Sequence, residues 1–271
     1  MSGILYLVPS PIGNLKDVSP RVMETLLSCD YIACEDTRNT QKLLNLVGIN
    51  NKRCVSCHEH NEKEASVSIV NDLLDGKNIA YLSDAGYPCI SDPGYLLTLE
   101  AIKNNIQIVP LSGASAFLSA LIASGLDTEH FFFYGFLKSK SSERVHELET
   151  IKNMPYTMLF YEAPHRIKDT LSDLYSVLGN RKIVIARELS KVHEEFIRTT
   201  LKEINENYHE IIGEIVLVVE KAQVMETKID EKEIIDKVNL LIKSGLSKKD
   251  AIISVALLLN VPKNDVKKLV I

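Results

Sequence analysis

The order of apolar and polar positions predicts alternating strands and helices through most of the chain. Short apolar runs predict eight strands, at Ile4–Val8, Tyr31–Cys34, Ile79–Ser83, Ile106–Leu111, Phe131–Tyr134, Thr157–Tyr161, Ile183–Ala186 and Ile215–Val219. Apolar residues spaced three or four apart predict the intervening helices, at Arg21–Ser28, Thr40–Val47, Glu62–Leu74, Leu96–Asn104, Ala116–Ser124, Ser142–Lys152 and Arg166–Leu178. This alternation is typical of α/β architecture with largely parallel sheets.

After about Ile229 the strand pattern stops, and the chain is predicted to be helical to its end. The predicted helices are Glu231–Lys243, Ser247–Leu259 and Asn264–Val270. Ser247 and Asp250 resemble a capping box, and Gly245 is a suitable end for the preceding helix. Three short helices joined by tight turns are typical of a helix-turn-helix module.

The length of 271 residues favours two domains and a small appendage, since a domain holds about 150 residues. We expect an N-terminal α/β domain at residues 1–112, a second α/β domain at residues 113–224 and a helical module at residues 229–271. The segment Leu111–Ala116 is rich in small residues and is the expected hinge between the two α/β domains.

Composition and charge narrow the classes of function. Apolar residues make up 45% and charged residues 25% of the chain, as in ordinary globular proteins, which excludes a disordered, collagen-like or disulfide-scaffold protein. The net charge of −5 excludes a uniformly basic nucleic-acid coat. The last 34 residues, Val238–Ile271, hold six lysines against two aspartates. They are the expected contact for a polyanion, although a solvated tail that packs on the body fits the same charges.

The sequence shows neither the pattern of a secretory signal nor that of a membrane-spanning segment. The first eleven residues lack the basic start and longer apolar core of a secretory signal, and no apolar run approaches the roughly 18 residues of a membrane span. Five cysteines at irregular spacing fit reduced thiols. We therefore expect a soluble cytoplasmic protein without membrane contact.

Three glycine- and proline-rich loops follow predicted strands, at Val8–Asn14, Ser83–Gly94 and Pro110–Ala116. Ligands of open α/β sheets bind at the carboxyl ends of strands, where such loops meet. Glycine and alanine admit a ligand close to the backbone, and aspartate accepts hydrogen bonds from an amine or a ribose. Neither a dinucleotide fingerprint nor a phosphate-binding P-loop is present, which argues against a nicotinamide cofactor or a nucleotide triphosphatase.

Separated motifs along nearly the whole chain carry a resemblance to a known family. They are Leu5–Leu15, Glu35–Arg38, His60–Glu62, Ser83–Gly86, Ile90–Gly94, Phe160–Arg166, Ala186–Lys191, Gly213–Glu220 and Lys248–Ala251. The sequence resembles methyltransferases of the tetrapyrrole-methylase fold (class III). Within them it is similar to the ribosomal RNA small subunit methyltransferase I family, which are cytidine 2′-O-methyltransferases. It departs from the family pattern at Ser112, where proline is usual, at Tyr87, where threonine is common, and at Gly135–Lys138, which lacks the usual proline.

The resemblance implies S-adenosylmethionine, held folded in the cleft between the two α/β domains, and no metal. The cofactor residues that it implies are Pro9, Asp84, Ala85, Gly86, Ile90, Ser115, Ala116, Tyr161, Glu162, Ala186 and Leu189. A ribose hydroxyl is a poor nucleophile until it loses its proton, so a general base or a local cation would help. The polar candidates for catalysis are Asp36, Arg38, Glu162, Arg187 and Lys191. The presence of Asp36 and Arg38 is explained equally well by a surface ion pair at the start of a helix.

The implied partner is small-subunit ribosomal RNA or the 30S particle, and the implied assembly is a homodimer. The cations expected to contact RNA are Lys138, Lys140, Arg144, Lys248, Lys249 and Lys263. Two other classes of function stay open. One is a methyltransferase of the same fold acting on a tetrapyrrole or a protein side chain, and the other is a non-enzymatic helix-turn-helix regulator.

The segment Cys54–His58 matches a covalent haem attachment pattern, and with His60 it could form part of a zinc site. A second closely spaced ligand pair is missing from the sequence. The favoured interpretation is a stretch at a sheet edge with buried thiols.

Overall fold

A computed structural model describes residues 2–223, 231–259 and 261–270. The chain divides into two compact units, residues 1–222 and residues 223–271. Each unit is described by itself. In the described ranges no helix has the length and apolar character needed to cross a bilayer.

The first sheet of the larger unit is parallel throughout and has helices on both faces. Its strands are β1 (Ile4–Val8), β2 (Tyr31–Cys34), β3 (Cys54–Ser56), β4 (Ile79–Leu82) and β5 (Gln107–Pro110), in the order β3-β2-β4-β1-β5. Its helices are α1 (Pro20–Ser28), α2 (Thr37–Leu46), α3 (Glu62–Leu74) and α4 (Tyr95–Lys103). Alternate strand residues pack against α3 and α4 on one face and against α1 and α2 on the other. Strands β2 and β4 are therefore buried on both faces, as their continuous apolar runs predict.

The second sheet is mixed. Its strands are β6 (Phe131–Phe136), β7 (Thr157–Glu162), β8 (Lys182–Arg187), β9 (Glu195–Thr200) and β10 (Ile215–Val219), in the order β6-β7-β10-β8-β9. Only β6 and β7 are parallel, whereas β10 is antiparallel to both of its neighbours and β8 is antiparallel to β9. The prediction of largely parallel sheets is therefore wrong here. The loop of residues 188–194 is too short for the crossover of a dozen or more residues that a parallel pair needs.

Four helices cover this second sheet: α5 (Ala116–Ser124), α6 (Ser141–Ile151), α7 (Ile167–Leu178) and α8 (Leu201–Glu206). Helix α5 packs on one face through Ala120 and Leu121. Helices α6, α7 and α8 pack on the other face around Phe160 and Leu217. The eight predicted strands are confirmed with boundary shifts of at most two residues, whereas β3, β9 and α8 were not among the predicted elements.

The smaller unit contains α9 (Glu231–Lys243), α10 (Lys248–Leu258) and α11 (Lys263–Val270), which confirms the predicted helices. Its core is formed by Ile234, Val238, Ala251, Val255 and Val266, all buried. The Ser247 hydroxyl accepts the Asp250 N–H at 3.1 Å, and Gly245 has a φ of 101°. The predicted start of the module at residue 229 lies outside the described residues. The predicted division at residue 112 stays a prediction.

Candidate active site

A cavity of about 360 Å³ lies between the loops of the first sheet and the inner edge of the second. This volume is within the range of small-molecule sites. The lining residues are Ile12, Ala85, Gly86, Tyr87, Ile90, Ser91, Asp92, Ser115, Ala116, Phe117, Phe136, Tyr161, Glu162, Ala163, Pro164, Leu189, Glu214, Ile215 and Val216. They come from the loops after β1, β4 and β8, from the ends of β6 and β7 and the residues that follow β7, and from the starts of α5 and β10.

The loops after β1 and β4 are joined by a pair of backbone hydrogen bonds. The Ser10 N–H donates to the Gly86 carbonyl at 2.8 Å, and the Gly86 N–H donates to the Ser10 carbonyl at 3.0 Å. The Ser10 hydroxyl also donates to the Ser83 carbonyl at 2.7 Å. Gly86 has a φ of 71°, a conformation that glycine adopts without strain. The floor of the cavity is therefore fixed by backbone pairing.

The wall formed by Ile90–Asp92 is held in place by a buried carboxylate. Oε1 of Glu62 accepts the N–H of Gly94 and of Leu96, each at 2.8 Å, at the start of α4. Gly94 has a φ of 120°, and a Cβ there would lie 2.4 Å from the Tyr81 ring. The same loop holds Cys89 and Ser91 at positive φ, and strain of this kind persists only where surrounding structure enforces it.

The loop after β5 approaches the cavity under similar constraint. The Tyr87 hydroxyl accepts the Gly113 N–H at 2.8 Å. A Cβ on Gly113 would lie 2.3 Å from Cγ of Pro9, so only glycine permits this approach. Pro9 is buried beneath the loop. It supports the cavity and does not line it.

On the side of the second sheet, an ion-paired network holds the loop after β8. Oε1 of Glu188 accepts the Glu214 N–H at 3.0 Å and lies 2.9 Å from Nζ of Lys191. Nζ of Lys191 also lies 3.1 Å from Oε2 of Glu214. Burial opposes the charge on Lys191, but the two carboxylates prevail and raise its pKa. Glu214 therefore lines the cavity as one partner of an ion pair.

The other two charged residues of the cavity lining are also acidic. Glu162 is buried and lies 2.6 Å from the Arg166 guanidinium, and it also accepts the Thr170 hydroxyl at 2.5 Å. Asp92 forms no ion pair within the described ranges. Burial, followed by the nearby charges of Glu35 and Asp84, raises the pKa of Asp92 to about 6. The described lining residues include no lysine, arginine or histidine.

Eight of the eleven predicted cofactor residues line this cavity. They are Ala85, Gly86, Ile90, Ser115, Ala116, Tyr161, Glu162 and Leu189. Asp84 instead accepts the Asn39 side-chain amide at 2.7 Å, and Ala186 is buried in the core of the second sheet. Their roles toward a cofactor stay predictions.

Four of the five predicted catalytic residues lie outside the cavity lining. Asp36 accepts the α2 backbone N–H of Arg38 and pairs with its guanidinium at 2.6 Å. These bonds lower the pKa of Asp36 to about 2, so Asp36 is a poor proton acceptor. Arg187 pairs with Glu195 at 2.7 Å. Lys191 lies behind the wall, and Glu162 alone reaches the lining.

Asp92 was not among the site residues predicted from the sequence, although it stands in the motif Ile90–Gly94. A usable signal was its position two residues before Gly94, in the loop after a buried strand. Three other lining residues were also absent from the predicted cofactor residues, although each lies next to one of them. They are Tyr87, Ser91 and Phe117.

Of the predicted RNA contacts, Arg144 is contradicted by its burial. Its side chain is 2% exposed, and the guanidinium lies 2.6 Å from Asp173. It also donates to the carbonyl oxygens of Lys138 and Ser139. A guanidinium so enclosed stabilises the start of α6 and is not presented to a polyanion. Five predicted lysines are exposed: Lys138, Lys140, Lys248, Lys249 and Lys263.

The segment Cys54–His58 forms the edge strand β3 and the turn after it, which confirms the sheet-edge interpretation. Cys57 is buried, and burial raises the pKa of its thiol to about 12. Within the described part of the chain, no group of three or more His, Cys, Asp or Glu side chains is arranged to hold a metal ion.

Comparison with known proteins first identifies the class of proteins to which the chain belongs. Residues 4–205 match the family model of the Tetrapyrrole (Corrin/Porphyrin) Methylases. The chain is 47% identical to ribosomal RNA small subunit methyltransferase I of Halalkalibacterium halodurans, over 97% of this chain and 93% of that protein. It is 46% identical to the protein of the same name from Bacillus subtilis, over 97% and 92%. The chain therefore belongs to the tetrapyrrole methylases and, among them, to the ribosomal RNA small subunit methyltransferase I family.

Solved structures support the same fold at low sequence identity. A diphthine synthase superposes with a TM-score of 0.63 at 16% identity, covering 80% of this chain and 90% of its own. Uroporphyrin-III C-methyl transferase from Thermus thermophilus, complexed with S-adenyl homocysteine, has a TM-score of 0.58 at 14% identity, covering 81% and 98%. At these identities the likeness concerns the fold alone.

Proposed function

We propose that this protein transfers the methyl group of S-adenosylmethionine to the 2′-hydroxyl of a cytidine ribose in small-subunit ribosomal RNA. The observation that carries the proposal is the cavity between the two sheets, in a chain that shares 47% of its residues with a ribosomal RNA small subunit methyltransferase I. The chain is an S-adenosylmethionine-dependent methyltransferase of ribosomal RNA, and the ribose hydroxyl and the cytidine are the finer part of the proposal.

The apolar residues and the charge of the lining support S-adenosylmethionine as the ligand. Ile12, Ile90, Phe117 and Leu189 offer apolar surface for the adenine and the methionine chain. The cofactor carries a sulfonium, an ammonium and a carboxylate, so its net charge is positive, and the described lining residues include no cation that would repel it. When bound, the cofactor supplies an activated methyl group. The contribution of the protein is then mainly to hold the acceptor oxygen about 3–3.5 Å from that methyl group.

Each loop has a proposed part in holding the cofactor. Ala85, Gly86 and Ile90 contact it from the first sheet, and Ser115 and Ala116 contact it from the segment that joins the sheets. Tyr161 and Leu189 close the cavity from the second sheet. Asp84 and Pro9 support these loops from behind, through Asn39 and Gly113.

The RNA is held, in this proposal, by exposed lysines at two places. Lys138 and Lys140 stand before α6. Lys248, Lys249 and Lys263 stand at the starts of α10 and α11 and form no ion pair within the described residues. A splayed single strand makes the 2′-hydroxyl accessible. The proposed substrate is the ribosomal RNA of the 30S particle in the cytoplasm, and the proposed assembly is a homodimer.

The proposal is tested with methyl-tritiated S-adenosylmethionine, the purified full chain and small ribosomal subunits from a strain that lacks this enzyme. Label in ribosomal RNA is the expected result. A reduced tetrapyrrole and a protein extract are offered in parallel. Label in either of these, with none in RNA, would favour a relative of the same fold with another substrate. Sequence-selective binding of duplex DNA without any transfer would favour a regulator.

The role of the lysines is tested by the salt dependence of RNA binding. The triple variant K248A/K249A/K263A should bind RNA more weakly, and its log–log salt slope should be shallower by about 2, since each single-strand phosphate contact contributes about 0.7. The matched control is K103A/K152A/K202A, because each of these lysines is paired with a neighbouring glutamate. An unchanged slope in the first variant would remove the smaller unit from the RNA interface.

A further inference from the structure

Asp92 is a cavity-lining carboxylate that no cation neutralises within the described ranges. The other two acids of the lining are committed, Glu162 to Arg166 and Glu214 to Lys191. The nearby Ser83 hydroxyl donates its proton in a hydrogen bond to the Gly86 carbonyl at 3.2 Å. Asp92 is therefore free to exchange a proton with a molecule in the cavity.

The position of Asp92 is fixed from both sides along the chain. Before it, Cys89 and Ser91 have φ values of 69° and 62°, and the Cys89 N–H donates to the Pro93 carbonyl at 3.1 Å. After it, Gly94 is tied to the buried carboxylate of Glu62. A strained loop clamped in this way holds a side chain at a set place on the wall.

The charged groups near Asp92 are negative, and they raise its pKa. From the first sheet, Glu35 stands after β2 and Asp84 after β4, and both are negative. From the second sheet, Tyr161 faces Asp92, and burial together with this carboxylate raises the pKa of Tyr161 to about 12. Burial and the two negative neighbours thus raise the pKa of Asp92 to about 6. A general base works best when its pKa is close to the working pH.

We propose that Asp92 is the general base that accepts the proton of the ribose 2′-hydroxyl during methyl transfer. This inference rests on the proposed function. As the hydroxyl oxygen bonds to the methyl carbon, the carbon–sulfur bond breaks and its electron pair stays on sulfur, which becomes a neutral thioether. The hydroxyl proton passes to the Asp92 carboxylate and leaves to solvent after the product departs. No further reactant is required.

Glu35 has a supporting part, because it raises the proton affinity of Asp92 without lining the cavity. Its own pKa is raised by burial and by Asp84. Glu35 is therefore a positioning residue for the proton, and its removal should change the pH dependence of the reaction more than its maximum rate.

The test uses D92N, which keeps the shape of the side chain and removes its basicity. Single-turnover methyl transfer to small ribosomal subunits should fall at least 100-fold at pH 7.5, the lower end of what a general base contributes. The dissociation constant for S-adenosylmethionine, measured by calorimetry, should change less than threefold. The acidic limb of the pH–rate profile should disappear in D92N.

The second variant, E35Q, supplies a readout that a structural role would not move. Its acidic limb should shift to lower pH, because a negative neighbour of Asp92 is gone, while the plateau rate stays within a few-fold of wild type. An unmoved limb in E35Q, or a D92N rate within fivefold of wild type, would overturn the assignment. A loss of cofactor affinity in D92N that accounts for the whole rate loss would make Asp92 a binding residue instead.

The wild-type protein separates failure of this inference from failure of the proposed function. If wild type forms no 2′-O-methylcytidine in the same preparation, both fail. If wild type forms it and D92N forms it at a comparable rate, only the role of Asp92 fails.

Discussion

The hydroxyl of Tyr87 accepts the backbone N–H of Gly113 at 2.8 Å and thereby ties the loop after β4 to the loop after β5. The two loops form neighbouring walls of the cavity. The resemblance in the sequence implies a threonine at Tyr87 and a proline at Ser112, the residue before Gly113. The tyrosine thus restrains a loop that a proline would otherwise stiffen.

The first prediction is that Y87F weakens binding of S-adenosylmethionine about fivefold. The reason is that one net hydrogen bond, worth about 1 kcal/mol, no longer orders the loop before the ligand arrives. Adding S112P to Y87F should restore at least half of the lost affinity, because proline reduces the freedom of the same loop. Calorimetric titration of the full chain measures both.

The matched control for Y87F is Y95F, which removes a hydroxyl from a tyrosine that is exposed and does not line the cavity. Its affinity should equal that of wild type. Equal affinity of Y87F and wild type would show that the bond does not restrain the loop before binding.

A second prediction concerns Glu62, whose Oε1 accepts the N–H groups at the start of α4. E62A should lower the free energy of unfolding by about 2 kcal/mol, since it leaves buried donors without an acceptor. E62Q keeps a carbonyl oxygen and should cost less than half as much. Urea unfolding measures the difference, with E64A on the exposed side of the same helix as control. Equal losses in E62A and E64A would contradict this account.

Arg144 provides a third prediction, which separates folding from RNA binding. R144A should lower the free energy of unfolding by about 3 kcal/mol, because it leaves the Asp173 carboxylate without its buried partner. The fraction that stays folded should bind RNA as tightly as wild type. Weaker RNA binding by R144A at unchanged stability would restore the RNA contact that the sequence predicted.

The fourth prediction follows from the direction in which the pKa of Asp92 is shifted. Its pKa is about 6 in the folded chain against an ordinary 3.8, so ionisation of the folded form costs stability as pH rises from 4 to 6. D92N should therefore raise the unfolding temperature by a few degrees above pH 6.5, since about 1 kcal/mol moves it by roughly 2–4 °C in a domain of this size. The gain should vanish below pH 4. A constant gain at both pH values would indicate a cause other than ionisation.

The strands that the sequence predicted best include those buried on both faces, such as β2 and β10, because a continuous apolar run leaves few other solutions. Strand β9 (Glu195–Thr200) was missed because an edge strand is half exposed and mixes charged with apolar residues. Strand direction in the second sheet is not encoded in periodicity at all. It depends on the length of the loops and on which neighbour each strand meets.

The candidate site likewise contains some residues that the sequence predicted and others that it did not. Loops such as Ala85–Gly86 were found because small residues after a strand have a local meaning. For Asp36 and Arg38 the sequence left a catalytic role and a surface ion pair equally open, and the structure shows the ion pair. Asp92 was missed because its raised pKa comes first from burial and then from Glu35 and Asp84, which follow two other strands, and none of these is visible in the local sequence.

The most direct test of the central claim is the chemical identity of the methylated nucleoside. Small subunits from a strain lacking this enzyme are treated with the purified chain and S-adenosylmethionine, digested to nucleosides and separated by liquid chromatography with mass spectrometric fragmentation. The account predicts a new methylated cytidine whose added mass stays with the ribose fragment. An added mass on the base fragment, or no new nucleoside in RNA while the cofactor binds, would contradict it.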